Sequence, residues 1–227
     1  MKKWGWAAAL GCLLLAGGLL LCLPSRERQA SGGPPGLLIW IELDTKRLLV
    51  YENSREIARF AIAAGARDTP SPVGVFRVNR KFETALSGFG TRFLGLNVPW
   101  GDYGIHGTNQ PASIGRNASH GCIRLSVRDA EALYRMIPLG TRVVVDGGAY
   151  GCFYQGQRAL GEGDRGADVA LLQRRLMLGG YLQGNADGAL GTATRKAVIA
   201  ARRALGLPLS DQADAQLQKK LGILLFD

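Results

Sequence analysis

Cys122 is the side chain in this sequence best suited to covalent chemistry. It stands in Ser119-His120-Gly121-Cys122-Ile123-Arg124, downstream of Gly104-Ile105-His106-Gly107-Thr108, and the two segments hold both histidines of the chain. A free thiol with a pKa of about 8.5 is only about 3% thiolate at neutral pH. A neighbouring imidazolium or guanidinium can lower that pKa by about two units or more and make thiolate the dominant form. A base, a cation and a thiol in one short stretch point to cysteine-based acyl transfer.

The spacing suggests roles. Fifteen residues separate His106 from Cys122, enough for two adjacent segments to bring them together. If 120–124 is extended, Cys122 and Arg124 project from one face about 7 Å apart. Arg124 would then stabilise the thiolate and hold a substrate carboxylate or carbonyl. Gly121 permits close backbone approach, so the N–H groups of Gly121 and Cys122 are expected to form an oxyanion hole. Gly107 would offer its carbonyl to the His106 ring and fix its tautomer. Strand alternation turns His120 away from the Cys122 face, which leaves it a shaping role and makes His106 the base. Ser119, Thr108 and Tyr103 join Arg124 as expected substrate contacts, although Ser119 is equally a turn residue. Trp100 and Tyr103 either line the cleft or pack beneath it. An inert packing cysteine is the competing reading, and the conjunction of motifs argues against it. A metal site is not expected, because two His and one Cys leave no fourth ligand.

The rest of the chain must hold these groups in place. Among 227 residues the formal charge is +10. Basic residues outnumber acidic ones by four to one over 1–36, fourteen to ten over 37–157 and ten to seven over 158–227. Charge spread this evenly, without interleaved aromatics, excludes a nucleic-acid-binding stripe and suits an anionic envelope or simple solubility. Trp4 to Leu23 carries no charge and follows two lysines. About twenty residues at ~1.5 Å rise span a bilayer core, so 1–23 reads as an uncleaved membrane anchor in preference to a signal segment. The lysines keep the amino end cytoplasmic and the body outside. Only Cys122 and Cys152 lie beyond that segment, which excludes a disulfide scaffold; Cys152 reads as a half-buried ordinary residue.

Residues 24–36 are rich in Gly, Pro and Ser and form a linker. Leu37–Ile41 and Arg47–Tyr51 flank Asp44-Thr45-Lys46 as a hairpin, Ile57–Ala63 is a third apolar run, and Val75–Val78 is strand-like. Ser126 caps a helix carrying Ala130, Leu133, Tyr134 and Ile137, and Pro138 ends it; Thr141–Val145 is a closing strand. This makes 37–148 a mostly-β domain with one helix. A linker at 149–162 leads to 163–223, where Asp168–Leu178, Thr192–Leu205 and Asp211–Leu221 carry aliphatics at helical spacing. A three-helix unit of that size has a thin core and normally serves recognition.

The motifs around His106 and Cys122 resemble the active-site signature of the L,D-transpeptidase (YkuD-type) catalytic domain. Thr69-Pro70-Ser71-Pro72-Val73-Gly74-Val75-Phe76 and Gly95-Leu96-Asn97-Val98-Pro99-Trp100 are similar to the family's approach segments. Residues 163–222 resemble the three-helix peptidoglycan-binding domain at Gly166, Asp168-Val169, Leu172-Gln173, Leu176, Gly180-Tyr181, Asp187-Gly188, Gly191 and Thr194. They depart from it at Ala200-Ala201, where a Phe-Gln pair is usual, and lack its second Asp-Gly turn near Ser210-Asp211. The resemblance implies a multidomain protein: a β-sandwich-like catalytic domain with a short helix, then an all-α domain, behind an apolar anchor. It implies a Cys122 thioester formed from a tetrapeptide stem with release of D-alanine, resolved by another stem to a 3→3 cross-link. It also implies sensitivity to carbapenems, no metal or nucleotide cofactor, peptidoglycan as partner and a place outside the cytoplasmic membrane. Water in place of the second stem would make an L,D-carboxypeptidase, which sequence does not separate from the transferase. A sortase lacks the Ser-His-Gly-Cys turn, and an NlpC-type peptidase places its cysteine before its histidine. A non-catalytic wall-binding protein is the reading from another class, and the intact His106, Cys122 and Arg124 argue against it.

Overall fold

A computed structural model describes residues 36–153 and 157–223. The anchor expected over 1–23 and the linker that follows lie outside the described residues. Among those described, no helix is long and apolar enough to cross a membrane.

Ten strands and one helix build the first module: β1 (Leu37–Glu42), β2 (Arg47–Glu52), β3 (Arg55–Ala61), β4 (Ala64–Gly65), β5 (Gly74–Ser87), β6 (Gly90–Leu96), β7 (Tyr103–Gly107), β8 (Asn117–Ser119), β9 (Ile123–Leu125), α1 (Val127–Met136) and β10 (Arg142–Asp146). Eight strands run in one sheet in the order β3-β2-β1-β10-β5-β6-β7-β9, while β4 and β8 pair separately. The long β5 joins the two halves. Its first residues pair with β10 and the remainder with β6, with register shifts near Val78 and Glu83 that bend it. Beyond β3, Ala63 exchanges both backbone hydrogen bonds with Arg124 of β9, so the far edge of the sheet is tied back to the near one. The sandwich expected from the sequence is thus one bent sheet folded around a single core.

Period-two alternation puts Ile39 and Ile41 of β1 inward beside Val143 and Val145 of β10, to which β1 is paired in parallel. Ile105 of β7 and Ile123 of β9 face each other in the same core. Full burial of each such side chain contributes roughly 1.5–3 kcal/mol. Ser126 Oγ accepts the Asp129 N–H at 3.1 Å and starts α1, which buries Ala130 and Leu133 against the sheet.

The second module holds α2 (Ala167–Leu178), α3 (Thr192–Ala204) and α4 (Ala215–Lys220). Val169, Leu172 and Leu176 line one face of α2 and pack with Val198, Ala201 and Leu217. The third helix is shorter than the expected Asp211–Leu221, because Asp214 caps it by accepting the Leu217 N–H at 3.0 Å. Gln173 is buried and fully satisfied. Its amide donates to Asp187 Oδ1, the Ala189 carbonyl and Thr194 Oγ1, and its Oε1 accepts the Gly188 N–H. This amide therefore clamps the Asp187-Gly188 turn.

The two modules lie in one compact unit. Ala170 of α2 belongs to the core of the sheet domain, and Ala167 packs against it. Trp100, only 8% exposed, closes the seam. A Cβ on Gly188 would come within 2.3 Å of its indole, so a glycine at positive φ (71°) is required there. Trp100 therefore packs in this seam and also borders the groove beside it.

Candidate active site

Two short strands position the chemistry. β7 carries His106 and β9 carries Arg124, and their parallel register sets His106 directly beside Arg124 and Ile105 beside Ile123. Since Ile105 and Ile123 point into the core, His106 and Arg124 project from the opposite face. Cys122 immediately precedes β9 and is half-buried at the rim of that face. The strand is shorter than the expected 120–124, because His120 to Cys122 forms a tight bend with Gly121 at φ 107°. A Cβ on Gly121 would lie 2.6 Å from the Tyr103 ring, so the turn and Tyr103 fit only around a glycine.

Ser119 locks the bend. Its Oγ donates to the Cys122 carbonyl at 2.6 Å and accepts the Gly121 N–H at 3.1 Å. This arrangement corrects two expectations. The Gly121 N–H is already spent on Ser119 and is not free for an oxyanion. Ser119 itself is 2% exposed and holds the nucleophile's turn, out of a substrate's reach. Thr108 is corrected likewise: at 3% exposure, its hydroxyl accepts the Gln110 N–H and shapes the loop after β7. Tyr103 is half-buried beside Gly121, and His120 is exposed.

His106 is 3% exposed. Its Nδ1–H donates to the Gly107 carbonyl, which leaves the Nε2 lone pair for proton transfer. Burial, followed by the neighbouring Arg124 charge, depresses its pKa against the opposing pull of that carbonyl, so the imidazole is neutral at pH 7. Phe93 stacks on the ring at 5.7 Å and Phe89 meets it edge-on at 5.0 Å. Phe82 stacks in turn on Phe93 at 4.7 Å, so the β5–β6 hairpin roofs the base with aromatic rings.

The thiol is not the resting thiolate that the sequence suggests. Burial raises the Cys122 pKa, and Asp102 adds to that rise. A backbone N–H from Gly104 and the charges of Arg124 and Arg80 oppose it without prevailing. Desolvation outweighs the cations because a half-buried sulfur loses its water while the guanidinium groups remain partly solvated. Arg124 reaches Gln110 Oε1 and the Ala118 carbonyl at 3.3 Å each, and its Nε is buried without a partner. Cys122 and Cys152 are both free thiols. Burial and the nearby Asp168 push Cys152 up to about 11, well outside the reactive range. Among the described residues no three His, Cys, Asp or Glu side chains converge as metal ligands would.

The aromatic roof and the Trp100 seam are the features that sequence reasoning missed. Phe82 and Phe93 flank a Gly88-Phe89 turn, and aromatics on both sides of a glycine turn were the available signal for a hairpin.

A mostly-β domain thus presents a His-Gly carbonyl pair beside a cysteine turn. The L,D-transpeptidase catalytic domain family (YkuD) matches residues 37–145, and a peptidoglycan binding domain family matches 165–221. The L,D-transpeptidase YkuD of Bacillus licheniformis is 38% identical over 107 residues, covering 47% of this chain and 64% of its own length. The L,D-transpeptidase YqjB of Bacillus subtilis is 30% identical over 137 residues, covering 54% of this chain and 76% of its own. A crystal structure of an L,D-transpeptidase from Xylanimonas cellulosilytica is 26% identical, covers 50% of this chain and 63% of its own, and superposes with a TM-score of 0.43. The chain belongs to the L,D-transpeptidase family. It spans slightly under two thirds of the length of the first YkuD relatives it matches.

Proposed function

We propose that this protein is a cysteine acyltransferase that joins peptidoglycan stem peptides in the cell envelope through a thioester on Cys122. The observation that carries this reading is the shared face of His106 and Arg124, with Cys122 at its rim and the His106 tautomer held by the Gly107 carbonyl.

The resting pair is a neutral thiol and a neutral imidazole, which calls for general-base activation during attack and not for a preformed ion pair. As Sγ bonds to the carbonyl carbon between the third stem residue and D-alanine, Nε2 of His106 takes the thiol proton. Negative charge gathers on the carbonyl oxygen, and in this reading the Cys122 N–H and Arg124 are the donors that meet it. The tetrahedral adduct collapses, the C–N bond breaks, and the imidazolium returns its proton to the departing amine. The side-chain amine of a second stem then attacks the thioester and gives a proton to His106, and the thiol leaves reprotonated. A 3→3 amide and a regenerated enzyme remain. Water in the place of that amine gives a trimmed tripeptide, the runner-up outcome.

Support for the peptidoglycan substrate comes from the family of the catalytic module and the peptidoglycan binding family of the helical one. Incubation with disaccharide-tetrapeptide and product mass analysis tests the reading, with Cys122→Ala as control. Cross-linked dimers that need Cys122 are expected. Tripeptide alone would make the protein a carboxypeptidase, and turnover by Cys122→Ala would overturn the mechanism.

A further inference from the structure

The seam sealed by Trp100 opens into a groove of about 590 Å³ between the two modules. That volume lies within the range of ligand-binding clefts. Arg67, Pro70, Tyr103 and His120 form one wall, and Arg165 and Asp168 of the helical module belong to the other. Tyr103 and His120 bring the groove beside the nucleophile's turn, while Cys122, His106 and Arg124 are not part of its lining. Tyr103 and the Pro70 carbonyl are the atoms nearest to a Cβ built on Gly121, and His120 is two residues from Cys122.

The helical wall is held rigidly. Arg158 binds Asp164 and Asp168 together and also donates to the Arg165 carbonyl, so both carboxylates are compensated by a cation already in place. Trp100 packs on Gly188 and lies close enough to Tyr103 to influence its hydroxyl, so the seat of the helical module and the ring beside Cys122 adjoin one side chain. Arg67 and Arg165 are exposed, and neither makes a salt bridge among the described residues. Arg158 compensates Asp164 and Asp168, Asp68 also lines the groove, and the exposed guanidinium groups of Arg67 and Arg165 on opposite walls suit a ligand carrying carboxylates.

We infer that this groove is a composite site for a carboxylate-bearing stem peptide, with Arg67 on one module and Arg165 on the other as its anion contacts. The helical module is then a wall of the catalytic site and not a separate tether. This inference rests on the proposed peptidoglycan substrate, and the experiment separates the two.

The test uses the full-length protein, disaccharide-tetrapeptide as probe, and the variants Arg67→Glu, Arg165→Glu and, as a matched charge change on an outer helix, Lys196→Glu. Each groove variant is expected to raise KM about tenfold, the loss of one charged hydrogen bond. Lys196→Glu should leave it within about twofold. Alkylation of Cys122 by iodoacetamide should keep its parental rate in all three, which shows the turn undisturbed. Calorimetric binding of the probe to Cys122→Ala protein, with and without Arg165→Glu, should weaken by the same factor. An unchanged KM and binding constant in Arg165→Glu would overturn the inference, as would a parallel fall in alkylation. Arginine-dependent binding by a parent that does not turn the probe over would keep the groove and reject the reaction. Turnover indifferent to both arginines would do the reverse.

Discussion

Alkylation of Cys122 across pH decides between a resting ion pair and a neutral pair. The structure favours the neutral one, since burial raises the thiol and lowers the imidazole. With the thiol above its ordinary value of about 8.5, less than about 3% is thiolate at pH 7. The alkylation rate should therefore climb about tenfold per pH unit from pH 6 to beyond 8 and show no plateau in the acid range. His106→Ala should leave that profile within about twofold, because a neutral imidazole lends the resting sulfur no charge. The same variant should lower acyl transfer by roughly 10²–10⁴, the usual worth of a positioned general base. The assay is iodoacetamide incorporation by intact mass at fixed times in buffers of constant ionic strength, with Cys122→Ala to subtract Cys152. A plateau between pH 5 and 7 that vanishes in His106→Ala would refute the reasoning and restore the thiolate–imidazolium pair.

Other consequences are checked more briefly. Because the His106 pKa is depressed in the fold, the unfolded chain binds more protons just below pH 6.5. Stability should fall as pH drops through that value towards the folded pKa, and His106→Gln should flatten the dependence in urea titrations. Ser119→Ala strips the Gly121 N–H and Cys122 carbonyl of their buried partner. It should cost about 1–3 kcal/mol, seen as a fall of several degrees in Tm, and slow acylation as the turn loosens. Arg202 is 2% exposed and binds the Pro208 and Gln212 carbonyls and Asp214. Arg202→Ala should destabilise the helical module by about 3–5 kcal/mol in urea unfolding, while iodoacetamide still labels Cys122 at the parental rate. A carbapenem should add one covalent mass to the parent and none to Cys122→Ala.

The hairpin of β1 and β2, the cap at Ser126 and the helical periods of 167–204 were legible because each rests on local chemistry. The length of β5 was not. Asn79-Arg80-Lys81 is polar on both sides, and only the pairing with β6, of Arg80 with Gly95 and Lys81 with Leu94, makes it a strand. Nor could sequence show the purpose of the helical motif. Leu172-Gln173, Asp187-Gly188 and Thr194 read as recognition residues by resemblance, yet Gln173 spends its amide on the turn that seats Trp100. At the candidate site the residue types and the face were readable, but the ionisation was not. Net pKa is a contest between desolvation and charge, and burial is a tertiary quantity.

That contest also defines what Arg124 can do. Its charge lowers the pKa of both Cys122 and His106. A cation close to both groups favours the thiolate and disfavours the imidazolium, so its two effects on forming their ion pair oppose each other. Arg124 is therefore poorly placed to create a resting thiolate through His106. Its benefit becomes net only where negative charge exists beside a neutral imidazole, as in the adduct once the proton has moved to the leaving amine. Arg124→Gln should then depress acyl transfer while barely raising the thiol's neutral-pH inertness, a split that iodoacetamide and tetrapeptide kinetics measure on the same preparation. Equal losses in both assays would instead assign the guanidinium to the ground state of the sulfur.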